Sequence, residues 1–244
     1  MDPEVKIVGF GEIGSEIAVS VGKKVVQLGL SGVECYLEKE SADMEFVMDR
    51  NECGLLLLVA GADCNCETSV VKMGERALKS GVPVGAFVVS PSFDVEKDRS
   101  LLEQSVDFYH VMNDGECAAE RIVNFVQMFK SRGMIMVDFA DFLAVIKLNR
   151  PRRRLTCLET CGNGEKWIIN CAKELTETFK QQGLDSNGFL VQIEHDKSLT
   201  LEEYSEAVES FYDSGCAKDD TNIIISDITN ENAEKSGRIR MWTV

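Results

Sequence analysis

Long apolar runs are missing from this 244-residue chain. The longest, Leu55-Leu-Leu-Leu-Val-Ala60 and Ile223-Ile-Ile225, stop far short of the ~18 residues that span a bilayer as a helix, so no membrane insertion is expected. Positive charge is also scarce. Twenty-six Lys and Arg stand against 41 Asp and Glu, a net charge of −15, and so negative a surface repels phosphate backbones and argues against a nucleic-acid partner. Met1-Asp2-Pro3-Glu4 lacks the basic stretch and apolar run of a secretory signal, which sets the expectation of a cytoplasmic protein. Histidine is limited to His110 and His195. Neither has a serine or cysteine in a recognisable nucleophile setting, so both read as core or turn histidines. No internal repeat and no low-complexity segment is visible.

What is present fits a folded globular protein. Apolar residues make up 44% and charged residues 27%, close to the soluble average, and the length suits one large domain or two small ones. The nine cysteines are an odd number scattered through apolar segments, and in a reducing compartment they read as small buried hydrophobes. Cys64-x-Cys66 and Cys157-x-x-x-Cys161 do not have the usual Cys-x-x-Cys metal spacing, and no metal is expected. The basic exception is Arg150-Pro-Arg-Arg-Arg154, which reads as a solvated loop or as a contact for an acidic surface.

Strand-like runs alternate with helical patterns through the first half. Val5-Lys-Ile-Val8 leads into Gly9-Phe-Gly11-Glu-Ile-Gly14, after which Ile17, Val21, Val25 and Leu28 follow helical spacing up to Gly29. Further strands are expected at 33–37, 55–59, 84–89 and 108–112, with helices at about 68–79 and 95–105. Residues 55–59 are apolar on both faces, as a central parallel strand must be, and the alternation implies a parallel, doubly wound α/β sheet. A long helix is expected from Cys117 to about Arg132. Beyond Gly133 the strands expected at 155–158, 188–194, 222–227 and 238–244, with helices near 164–182 and 200–214, form a smaller α/β domain around a mixed sheet. Thr200-Leu-Glu-Glu203 is a capping box at the start of the second of these helices.

The Gly9-x-Gly11-x-x-Gly14 pattern has two readings. After a strand and before a helix, glycines let backbone N–H groups and a helix N-terminus approach a phosphate, which would make Gly9, Gly11, Gly14 and Ser15 the phosphate contacts. The other reading is a tight strand-to-helix turn with no ligand. Glu12 within the loop and Glu16 after it would repel a phosphate.

Ile135-Met-Val-Asp138-Phe-Ala-Asp141 resembles the Asn-Val-Asp-Phe-Ala-Asp run of FtsZ, the bacterial division GTPase related to tubulin. Other segments match that family in order. Residues 5–14 resemble its first strand and phosphate loop, 55–61 the strand before its signature loop, 81–93 its next helix end, strand and turn, and 107–114 the strand that ends in Asn-Asp. Segments beginning at Gly188, Ser198, Thr221 and Gly237 follow the order of its C-terminal domain. The resemblance implies a nucleotide-type domain over 1–114, a core helix and acidic-loop connection over 115–137, and a C-terminal domain over 138–244. It also implies that Asp138 and Asp141 act on the nucleotide of a neighbouring subunit in a filament. From the residues alone, Asp138 is equally a helix cap and Asp141 a first-turn carboxylate.

The departures bear on function. The family's Gly-Gly-Gly-Thr-Gly-Thr/Ser-Gly loop is here Ala62-Asp-Cys-Asn-Cys-Glu-Thr68, which puts Asp63 and Glu67 where phosphates would sit. After the second strand the chain has only Lys39-Glu-Ser41 and a short connection in place of several family elements. Gly115-Glu116 replaces the connection to the guanine-contacting residues, and Met136 replaces the family's Asn. The expectation is therefore a shortened, divergent FtsZ-like protein with a degenerate GTP site and no nucleotide cofactor. It would associate with itself or with a related filament protein through Asp138, Asp141, Arg152, Arg153 and Arg154. The alternatives are a GTP-hydrolysing polymeriser, with GTP as its ligand, and a small-molecule binding module on the same fold.

Overall fold

A computed structural model describes residues 4–38, 52–61, 69–90, 97–113, 117–131, 133, 135, 137–148, 154–216, 221–230 and 236–243. Within the first of its two units, aliphatic and β-branched runs form five strands: β1 (Val5–Phe10), β2 (Val33–Leu37), β3 (Leu55–Gly61), β4 (Val84–Val89) and β5 (Phe108–Met112). They pair in the order β2-β1-β3-β4-β5, all parallel, with Ile7 opposite Cys35 on one side and Leu57 on the other. Every residue of β1, β3 and β4 is buried, because helices cover both faces of the sheet.

Successive side chains point to opposite faces, so each strand feeds two cores. Val8, Leu56, Leu58, Ala86 and Val88 pack with Val70, Met73 and Ala77 of α2 (Ser69–Lys79) and Leu102 of α3 (Lys97–Ser105). The other face is covered by α1 (Gly11–Gln27) and α4 (Ala118–Lys130), which pack against each other. Phe125 of α4 sits with its ring centroid 5.4 Å from that of Phe87 and 5.5 Å from that of Phe108. The apolar stripe Ile122, Val123, Phe125, Val126, Phe129 is what holds α4 on the sheet. Leu155 and Arg154 belong to this unit, with the Leu155 N–H donating to the Tyr109 carbonyl at 2.7 Å.

The second unit contains α5 (Phe139–Leu148), β6 (Thr156–Asn163), α6 (Trp167–Gln181), β7 (Gly188–His195), α7 (Leu201–Asp213), β8 (Asn222–Thr229) and β9 (Ser236–Thr243). Its sheet order is β6-β9-β7-β8. β9 runs antiparallel to both its neighbours, and β7 and β8 are parallel, so the sheet is mixed as expected. Ile168, Leu175 and Phe179 of α6 and Phe211 of α7 pack with Leu158, Val191, Ile193, Ile239 and Met241. α5 lies against β7 and β8. The capping box at α7 is formed: the Glu203 N–H donates to Thr200 Oγ1 at 3.2 Å, and the Thr200 N–H donates to Glu203 Oε2 at 3.0 Å.

Most elements fall within two or three residues of their expected bounds. The exception is β6, expected to end at Leu158, which continues to Asn163 because β9 pairs with it residue by residue from Thr243 back to Ser236. Polar Glu159, Thr160 and Asn163 carry no apolar alternation of their own, so only the partner strand defines that half.

Candidate functional site

In an open parallel sheet, ligands bind beyond the carboxyl ends of the strands where the chain's connections diverge to either side. Here that point lies between β1 and β3, since β1 connects to β2 on one side and β3 begins the succession on the other. The Gly9 to Ser15 turn occupies it. A Cβ on Gly9 would lie 2.4 Å from the Gly14 carbonyl oxygen, and one on Gly14 would lie 2.4 Å from the Val59 carbonyl oxygen. Both glycines are therefore required to pack the start of α1 onto the backbones of β1 and β3. Gly11, at φ +68°, makes the turn itself. Ser15 Oγ points back to the Gly9 carbonyl at 3.5 Å. The structure thus brings Gly9, Gly11, Gly14 and Ser15 into one turn.

That turn is met by a carboxylate. The Gly11 N–H donates to Glu38 Oε2 at 3.2 Å, and the Ser69 hydroxyl donates to Glu38 Oε1 at 2.7 Å. Glu38 directly follows β2, Gly11 directly follows β1, and Ser69 opens α2 in the connection from β3. One side chain therefore joins the connections of three adjacent strands. Glu12, in the first turn of α1, is exposed. Asp63, Glu67, the segment Lys39-Glu-Ser41, Met136 and Glu116 lie outside the described residues. Sequence reasoning missed Glu38. Its available signal was an acid placed immediately after the strand beside the glycine turn.

The acidic run lies in the second unit. Asp138 Oδ1 accepts the Ala140 N–H at 3.0 Å, and the Asp138 carbonyl accepts from Asp141 N at 3.0 Å and Phe142 N at 3.2 Å, so Asp138 is the N-cap of α5. Asp141 is exposed on the first turn of that helix, where a carboxylate favours the positive helix end. Arg154 forms an isolated bridge with Tyr109 in the first unit, whereas Arg152 and Arg153 lie outside the described residues.

The segment leading to Asp138 is anchored by a second acid that sequence reasoning did not single out. Asp227 of β8 accepts the Ile135 N–H through Oδ1 at 2.6 Å, and its Oδ2 lies 3.0 Å from His195 Nε2. His195 Nδ1 is 2.5 Å from the Asp196 carbonyl, which can only accept, so Nδ1 carries a proton. Nε2 facing a carboxylate then favours a second proton, the imidazolium form. Burial alone would lower the pKa of His195. The Asp227 hydrogen bond and charge, with the Asp196 carbonyl, outweigh it and raise the pKa.

His110 of β5 behaves oppositely. Buried in the sheet, with Nδ1 2.8 Å from the Leu155 carbonyl and its ring edge-on to Phe87, it is lowered to about 4 chiefly by burial, and Arg121 and Arg154 add to this. Burial likewise pushes the Cys35 and Cys53 thiols up to about 11. Cys157 and Cys161 both lie on β6, and Cys64 and Cys66 fall outside the described residues. Among the described residues no group of three or more His, Cys, Asp or Glu is placed to hold a metal ion, and no helix is long and apolar enough to cross a membrane.

No protein-family model and no curated protein matches the chain in sequence at a significant level. Its structure does find matches among solved proteins. FtsZ of M. jannaschii, solved as an empty dimer, superposes with a TM-score of 0.75 at 19% identity, covering 100% of this chain and 88% of that one. CetZ2 from Haloferax volcanii, solved as a GTPγS-bound protofilament, gives 0.72 at 11% identity over 98% of this chain and 92% of its own. TubZ of Bacillus thuringiensis serovar israelensis, in GDP-form protofilaments, gives 0.63 at 11% identity over 99% and 86%. A parallel sheet in the order β2-β1-β3-β4-β5, a covering helix α4 and a mixed C-terminal sheet therefore make up an FtsZ/tubulin-like fold along essentially the whole chain.

Proposed function

We propose that this chain is a structural or regulatory protein of the FtsZ/tubulin type whose GTP site is degenerate, acting in the cytoplasm by self-association or by binding filaments of related proteins. The observation that carries this reading is the charge at the switch point. Glu38 accepts from the Gly11 amide, Glu12 stands in the first turn of α1, and the sequence after β3 contains Asp63 and Glu67 where the family resemblance implies a glycine run. A nucleotide's phosphates at the glycine turn would meet the Glu38 carboxylate, and like charges at close range disfavour the ligand. The glycines themselves are accounted for by packing against Gly14 and Val59.

Association is supported by the company the fold keeps, since the matched FtsZ is a dimer and the matched CetZ2 and TubZ are protofilaments. The residues proposed to make contacts are Asp138 and Asp141 and, separately, Arg152, Arg153 and Arg154. Asp138 and Asp141 would take a catalytic role only toward a neighbouring subunit's nucleotide. Calorimetric titration with GTP and GDP tests the reading. Negligible binding is expected, with light scattering that does not depend on added nucleotide. Micromolar GTP binding, with assembly that starts only on adding GTP, would replace this reading with that of a GTP-hydrolysing polymeriser.

A further inference from the structure

We propose that the carboxylate of Glu38 is a built-in substitute for a phosphate, filling the anion position at the switch point and holding together the three connections that a bound oxyanion would otherwise join. The inference rests on reading the first unit as a degenerate nucleotide site, and it states how that site stays closed.

Three features of Glu38 carry it. Both of its oxygens are engaged by different donors, Oε2 by the Gly11 amide and Oε1 by the Ser69 hydroxyl, so the side chain bridges rather than touches. Those donors stand at the first residues of α1 and α2, where aligned peptide dipoles favour negative charge. The N-cap residue of α1 is Phe10, which offers no side-chain acceptor, and among the described residues the Gly11 amide finds its acceptor 27 positions along the chain, in Glu38.

A bridging carboxylate presents two acceptor oxygens to two donors, as a phosphate's equatorial oxygens do at such turns. It therefore satisfies the turn without a ligand. Because the occupant is covalently part of β2's continuation, it competes with any free anion at a high effective concentration. Its removal should leave an amide and a hydroxyl aimed at a vacant anion position, at the head of two helices.

Thermal unfolding of the full chain and of Glu38→Ala, with inorganic phosphate or with sodium chloride at equal ionic strength, tests this. Glu38→Ala should melt roughly 4 °C lower, from the loss of two charge-assisted hydrogen bonds, and phosphate should restore about half of that loss while leaving the wild type unmoved. An unchanged melting temperature overturns the proposal, and so does an equal phosphate response in both proteins. Should Glu38→Ala fail to fold, Glu38→Gln decides the same point through amide hydrogen exchange. The Gly11 amide should exchange about tenfold faster than in the wild type, and unchanged exchange overturns the proposal. Failure of the degenerate-site reading looks different: it is GTP binding by the wild-type chain. Failure of this inference alone is a wild type that binds no GTP together with a Glu38→Ala variant that gains no phosphate response.

Discussion

His195 Nε2 and Asp227 Oδ2 stand 3.0 Å apart with side-chain exposures of 3% and 0%, a buried ion pair that also anchors the Ile135 amide ahead of Asp138. The chain's only other histidine, His110, is buried as the neutral ring. The two therefore bend the pH dependence of stability in opposite directions.

For His195 the folded pKa is raised, so its contribution is fully present below the unfolded value near 6.5 and is lost as pH rises through the higher folded value. For His110 the folded value is about 4, so its contribution is present above 6.5 and is lost as pH falls from 6.5 toward 4, on the order of 3 kcal/mol at the acid end. Urea unfolding across this range should show His195→Gln flattening the alkaline limb and His110→Asn flattening the acid limb. A wild-type alkaline limb unchanged in His195→Gln would refute the ion-pair assignment.

Gly14→Ala tests what the glycine turn is for. A Cβ 2.4 Å from the Val59 carbonyl oxygen has no side chain to push aside, only backbone, so a loss of about 3 kcal/mol is expected in the absence of any nucleotide. Denaturant midpoints measured without ligand decide it. A variant as stable as the wild type would mean that packing does not require the glycine.

Asp138→Ala should cost about 1 kcal/mol through loss of the cap at Ala140 N, and Asp141→Ala about 0.5 kcal/mol through the helix end. If the acidic loop is also a contact surface, the double variant should sediment as a smaller species at concentrations where the wild type associates. Sedimentation identical to wild type, with only the stability loss, would confine both residues to the helix end.

Arg240, 2% exposed, donates to Glu159 at 2.6 Å, Gln192 at 2.8 Å and Glu194 at 3.2 Å, and so ties β6, β7 and β9 together. Arg240→Met leaves three acceptors without their shared donor and should cost about 3 kcal/mol, moderated because both glutamates are partly solvated. Arg240→Lys should recover little, since a single ammonium lacks the guanidinium fork. A lysine variant with wild-type melting temperature would contradict the role assigned to that fork.

What the sequence determined by itself was the set of elements and their succession. Helical spacing from Ile17 to Val25, the two-faced apolar run at Leu55 and the capping box at Thr200 are encoded within a few residues of where they act, and each formed. Asp138 was legible as a cap for the same reason, because its acceptor serves an amide two residues on. Tertiary structure alone decided the second half of β6, which has no apolar alternation and exists because β9 runs beside it. It alone also decided the partners of Glu38 and Asp227. Their donors lie 27, 31 and 92 positions away, and in the sequence each is one more acid among 41. A periodic pattern records which face of an element is buried, whereas the partner of a single polar group is set by how strands are ordered in a sheet, and that order is written in no local stretch of the chain.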